Sequence, residues 1–161
     1  MSRPEQYVSF FLAGEEYAVG ILRTREIVEY DVITRIPMAP PGIRGVLNLR
    51  GRVVPVLDLA EKLGLPKAEP NRFTCILMVE VAFEGDPMLI GMIIDAVSEV
   101  IDLLPADIEP PPPFGSKIRL DYLYGIGKVG QKLVLLLDID RILSPEQLLA
   151  TAGAMPPLLG A

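Results

Sequence analysis

One pattern occurs twice in this chain, and it limits the possible folds more than any other feature. Gly45-Val-Leu-Asn-Leu-Arg-Gly-Arg-Val-Val-Pro-Val-Leu-Asp-Leu59 aligns with Gly125-Ile-Gly-Lys-Val-Gly-Gln-Lys-Leu-Val-Leu-Leu-Leu-Asp-Ile139 at a shift of 80. Gly45/Gly125, Val54/Val134, Leu57/Leu137 and Asp58/Asp138 are identical pairs, and six more are conservative. Each copy reads as strand, turn, strand and then an aspartate. A weaker match at a shift of 73 pairs residues 18–27 with 91–100 and sets Glu26 against Glu99. A period near half of 161 residues implies two related β subdomains, each a small barrel of about five strands. The 14 glycines and 16 prolines exclude a long-helix architecture and favour many short strands.

The local signals agree. Residues 7–13 and 16–20 read as a hairpin around Gly14-Glu15, and 46–50 with 53–57 as another around Gly51-Arg52. Ile21, Thr24, Ile27 and Val28 recur at near-helical spacing, which predicts a short helix over 21–29. Asp58 with Glu61 fits a capping box for a short helix that Gly64 ends. Strands are expected at 74–83, 88–94 and 98–104, and a last hairpin at 120–129 and 132–138. The prolines at 110–113 form a stiff connector, Ser144 caps a final helix, and residues 151–161 form a flexible tail.

Composition excludes several functions. The chain has no histidine, so the commonest general base and metal ligand are both missing. Its one cysteine, Cys75, sits in an apolar run and cannot build a disulfide framework or a cysteine-rich zinc site. A net charge of −6 argues against a nucleic-acid binder. No apolar run approaches the length of a membrane span, and the N-terminus has no signal-peptide pattern, so a cytoplasmic protein without direct membrane insertion is expected. The charge is uneven: residues 1–80 carry ten basic and ten acidic side chains, and residues 81–161 carry five and eleven. Arg35, Arg44, Arg50 and Arg52 fall where no acid lies between positions 32 and 57, which reads as a solvated basic face or a docking patch for an acidic partner.

Few motifs suggest catalysis. Gly125, Gly127 and Gly130 match a dinucleotide fingerprint in spacing but run into a strand, so they are read as turn glycines and no cofactor is expected. Asp58 and Asp138 end equivalent strands. They form either a pair of helix N-caps or, as an alternative of another class, the carboxylate dyad of an aspartic hydrolase. Alternation along 46–50 sets Val46, Asn48 and Arg50 on one strand face beside Gly51, which makes a polar recognition point.

Residues 17–27, 34–37 and above all 45–59 give the chain a specific likeness. The Asn-Leu-Arg-Gly block followed by Pro-Val-Leu-Asp-Leu resembles the CheW family of chemotaxis coupling proteins, over roughly residues 6–148. The resemblance implies a mainly β fold, with two five-stranded SH3-like barrels sharing a hydrophobic core and a few short helices. It implies an adaptor without enzymatic activity, metal or cofactor. Its partners would be the cytoplasmic tips of methyl-accepting chemoreceptors and the regulatory domain of a CheA-type histidine kinase, in arrays at the membrane. Receptor-facing residues carried over by position are Thr24, Glu26, Ile27, Gly45, Asn48, Arg50 and Gly51. Kinase-contact residues are not assigned. Thr24 departs from the aliphatic residue usual in the family. The same resemblance leaves open an adaptor for a gliding or pilus pathway instead of swimming.

Overall fold

The computed structural model describes residues 3–31, 33–39, 42–83, 85–111 and 122–142. In chain order the elements are β1 (Glu5–Leu12), β2 (Glu15–Gly20), a 3-10 turn (Ile21–Arg23), β3 (Thr24–Glu29), β4 (Ile43–Leu49), β5 (Arg52–Asp58), α1 (Leu59–Lys62), β6 (Cys75–Phe83), β7 (Asp86–Ile94), β8 (Ala96–Leu103), a second 3-10 turn (Pro105–Asp107), β9 (Ile108–Glu109), β10 (Leu123–Val129), β11 (Lys132–Leu137) and α2 (Ile139–Ile142). They form two sheets. A central sheet runs β3-β6-β7-β5-β4, and a terminal sheet runs β8-β1-β2-β11-β10-β9. The central sheet is one continuous segment, inserted between β2 and β8 of the terminal sheet.

The sequence repeat is a structural repeat. The hairpins β4–β5 and β10–β11 each shift register at the matched glycine, between Ile43 and Gly45 and between Leu123 and Gly125. Each ends in the matched aspartate, whose N–H donates to the carbonyl of Gly42 (2.7 Å) or Tyr122 (2.9 Å). β5 then pairs in parallel with β7, and β11 with β2.

Alternation divides single strands between separate cores. On β6, Leu77, Val79 and Val81 face the main cluster between the sheets, where they meet Val8, Phe10, Leu12, Tyr17 and Val19 of the terminal sheet. Ile76 and Met78 of the same strand face a second cluster with Leu47, Leu49, Val54, Val56 and Ile93. Tyr7, Ala18, Ile101, Leu103, Val134 and Leu136 form a third, inside the terminal sheet. Burial on both faces explains why these strands read as nearly unbroken apolar runs. Among the described residues neither sheet is closed by strand pairing, so the expected barrels are open at their edges. β8 at one edge leads through the second 3-10 turn into β9 at the other. In the central sheet, the chain after β3 returns at Thr34, which exchanges two backbone hydrogen bonds with Val46 of β4 (2.9 and 2.8 Å).

The mainly β, two-subdomain expectation holds, with six strands in one sheet where five were expected. The helix expected over 21–29 does not form. Only Ile21–Arg23 takes one 3-10 turn, and Thr24–Glu29 is an edge strand paired with β6. Its residues alternate half-buried and exposed, a period of two, and the β-branched Thr24, Ile27 and Val28 suit a pleated edge. Two hairpin turns fall one residue earlier than expected, at Ala13-Gly14 and Arg50-Gly51. Both residues of each turn have positive φ, the requirement of a two-residue I′ turn, which favours glycine second. Ser144, the prolines at 112 and 113, and the tail from 151 lie outside the described residues.

Candidate functional site

The site begins with a turn. Arg50 (φ 50°) and Gly51 (φ 87°) join β4 to β5, and Asn48 Oδ1 accepts the Gly51 N–H at 2.9 Å. Arg50 therefore leaves the pleat, and the strand-face pairing expected with Asn48 is replaced by a turn in which Asn48 pins the backbone. The Arg50 guanidinium forks onto Glu26 of β3. Nη2 bonds Oε1, and Nη1 lies 3.3 Å from Oε2. The hydrogen bond from Arg50 holds the Glu26 carboxyl below its usual range, and the carboxylate raises Arg50 in turn. β3 and β4 are opposite edges of the central sheet, so this pair joins its rim just as Thr34 and Val46 join its wall.

Four of the seven expected residues, Glu26, Asn48, Arg50 and Gly51, come together in this way. Thr24 and Ile27 flank Glu26 on β3. Thr24 is half-buried, with its hydroxyl donating to the Gly20 carbonyl at 3.3 Å, and Ile27 is exposed. Gly45 lies apart. It is buried, and a Cβ there would stand 2.1 Å from the Thr34 carbonyl oxygen, so its role is to admit the Thr34–Val46 bridge. The acid-free window around the arginines is closed in three dimensions by acids from outside it. Arg44 Nη2 donates to Asp58 Oδ2 at 2.6 Å, as Arg50 donates to Glu26.

Asp58 and Asp138 are engaged separately, each within its own repeat. Asp58 is buried; its Oδ1 accepts the Glu61 N–H at 3.2 Å and caps α1. Asp138 Oδ1 accepts the Asp140 N–H at 3.1 Å. This is capping geometry and not a shared-proton dyad. Gly125 and Gly127 lie within β10 and Gly130 in the following turn, so the glycine spacing has no strand-to-helix context. Among the described residues no cluster of three or more acidic, cysteine or histidine side chains could hold a metal ion. No helix among them is long and apolar enough to cross a membrane.

Sequence reasoning missed the tie that anchors the first 3-10 turn. Arg23 Nε donates to the Glu80 carbonyl at 2.9 Å, and its guanidinium forks onto Asp140 of α2, with Nη1 2.9 Å from Oδ2. Nothing in the sequence patterns signals this tie, and the 73-residue match marks a separate equivalence. Glu99 of β8 stands where Glu26 stands on β3, and Lys132 Nζ lies 3.5 Å from it. Ile27 and Val100 are correspondingly exposed.

Comparison with known proteins assigns the family. The model of the CheW-like domain matches residues 6–147. The chain belongs to the CheW-like domain family. It is 34% identical over 144 residues to chemotaxis protein CheW of Klebsiella aerogenes, covering 89% of this chain and 84% of that one. It is 36% identical over 141 residues to chemotaxis protein CheW of Helicobacter pylori, covering 88% and 82%. The crystal structure of the scaffolding protein TtCheW from Thermoanaerobacter tengcongensis superposes with a TM-score of 0.79 at 35% identity, over 89% of this chain and 90% of that one.

Proposed function

We propose that this protein is a non-enzymatic scaffold that couples chemoreceptor cytoplasmic tips to the regulatory domain of a CheA-type histidine kinase. The observation that carries the reading is the CheW-like match over nearly the whole described fold, with relatives named as chemotaxis proteins and a structural neighbour described as a scaffolding protein. The rim of the central sheet supports the receptor-facing half of the proposal. Exposed Ile27 supplies apolar area, and the Glu26–Arg50 pair on a pinned turn supplies a charged, pre-oriented edge. A receptor helix lying across this edge would make different contacts in its two signalling states and pass the difference to the kinase. The protein would work in the cytoplasm, at receptor arrays.

Reconstitution tests this. The protein is mixed with a receptor cytoplasmic fragment and a CheA-type kinase, and ternary-complex formation and kinase autophosphorylation are followed. Assembly that depends on this protein, with receptor-controlled kinase activity, is the expected result. Failure to bind either partner overturns the proposal.

A further inference from the structure

The two sheets hold equivalent strand starts in different ways. β3 starts at Thr24, opposite Val79 of β6, and β8 starts at Ala96, opposite Phe11 of β1. The shift of 73 makes Thr24 equivalent to Val97, which faces Phe10, and Ile27 equivalent to Val100, which faces Val8. Ile27 itself faces Leu77, so β6 matches β1 at a shift of 69, with the register break at the same place in both pairings. Glu80 and Ala82 therefore correspond to Phe11 and Ala13. These residues lie where β6 and β1 reach the start of the incoming strand or run past it, so a carbonyl and an N–H need partners there. In the terminal sheet one residue just ahead of β8 serves both. The Asp95 N–H donates to the Phe11 carbonyl at 3.0 Å, and Asp95 Oδ2 accepts the Ala13 N–H at 2.9 Å. In the central sheet Leu22 stands at the place of Asp95 and has no carboxylate. Here Arg23 Nε donates to the Glu80 carbonyl at 2.9 Å, and Asp140 Oδ1 accepts the Ala82 N–H at 3.3 Å.

We infer that Asp140 is a positioning residue for the receptor-facing strand, acting through Arg23 on the start of β3. Asp140 belongs to α2, which continues the terminal sheet after β11. It holds two parts of the central sheet at once. One is the β6 backbone at Ala82; the other is Arg23, whose Nη1 lies 2.9 Å from Oδ2 and whose Nη2 bonds Oδ1. A forked guanidinium–carboxylate pair fixes angle as well as distance, and Arg23 immediately precedes β3. The tie continues along the strand. Arg25 Nε donates to Glu80 Oε2 at 2.8 Å, and its Nη1 donates to the Leu22 carbonyl at 2.9 Å. Arg25 is also the extra residue at the register break between Thr24 and Glu26. Glu26, which meets Arg50 at the rim, thus sits three residues from a side chain anchored in the other sheet. β8 has no such dependence, because Asp95 closes the equivalent place from the strand's own lead-in. The inference rests on the receptor reading for what β3 meets, and on the internal repeat for how β3 is held.

The test uses the full chain in two variants. Asp140→Ala removes both contacts, and Asp140→Asn leaves an acceptor for the Ala82 N–H but no charge for Arg23. Ile101→Val, buried inside the terminal sheet, is the control for a general loss of stability. Amide hydrogen exchange is read by NMR at β3 and at β8, and affinity for a receptor cytoplasmic fragment by calorimetric titration. Exchange across Thr24–Glu29 is expected to quicken about tenfold or more in Asp140→Ala and less in Asp140→Asn, with β8 unchanged. Receptor affinity should fall about threefold or more in Asp140→Ala, although Asp140 lies on neither β3 nor β4, and should hold in Ile101→Val. If the alanine variant does not fold, the asparagine variant gives the same two readings. The inference is overturned if β3 exchange matches the wild type, or if β3 and β8 quicken alike, as a merely structural role would give. It is also overturned if β3 loosens and the receptor fragment binds as before. A wild-type chain that binds no receptor fragment overturns the receptor reading instead, and exchange at β3 against β8 still decides how the strand is held.

Discussion

Arg50 and Glu26 join the two edge strands of the central sheet across its rim, although 24 residues separate them in the chain. The arginine that sequence reasoning left without a carboxylate is therefore paired, and the pair is presented as one unit on a pinned turn.

Arg50→Glu places two carboxylates at this rim. The side chain is exposed, so the fold is expected to persist with only a small change in melting temperature. Receptor-fragment affinity should fall by at least about tenfold, because a reversed charge that becomes desolvated in an interface is costly. Calorimetric titration and thermal melts on Arg50→Glu, and on the exchanged pair Glu26→Arg with Arg50→Glu, separate the two roles. The exchange should restore stability and not affinity. Unchanged receptor affinity in both variants would place the docking edge elsewhere.

The two glycines of the expected site should behave differently. Gly45→Ala drives a Cβ to 2.1 Å from the Thr34 carbonyl and should destabilise the protein by about 3 kcal/mol, through overpacking and loss of the Thr34–Val46 bridge. Gly51→Ala meets nothing within 4 Å and should cost only the left-handed conformation, about 1–2 kcal/mol. Urea denaturation of the two variants checks the order, and equal losses would contradict it.

A single cut between 66 and 72 should not release two folded halves. The N-terminal fragment would hold β1 and β2 of the terminal sheet with β3, β4 and β5 of the central one, so each fragment carries part of both sheets. The nicked protein is expected to stay associated on gel filtration and to melt in one transition. Separation into two stable folded pieces would show that the two halves of the chain fold independently and overturn the expectation.

Stability should depend on acid through Asp140. The Arg23 hydrogen bond holds its carboxyl below the ordinary 3.8, against burial and with help from the Ala82 N–H. A lowered native pKa contributes stability that is complete above the unfolded value, about 3.9, and is lost as pH falls through the native value. Arg23→Gln should therefore destabilise the protein by about 1–2 kcal/mol at neutral pH, through the partly exposed ion pair and the bond to the Glu80 carbonyl. The gap from wild type should narrow as pH drops below about 4. A gap that stays constant to pH 2 would show that Asp140 is not the titrating partner.

The sequence alone determined the β class, the duplication and the aspartates that cap the helices after β5 and β11. These depend on signals within short stretches: alternation, turn residues and a capping side chain one turn from its N–H. It also marked Glu26, Asn48, Arg50 and Gly51 through family likeness. Tertiary structure alone decided how they are used. The spacing of Ile21, Thr24, Ile27 and Val28 fits a helix and a strand equally, and only β6, waiting with unpaired backbone groups, selects the strand. Charge neutralisation is a matter of distance in space, so the acid-free window could not reveal that Glu26 and Asp58 cover two of its arginines.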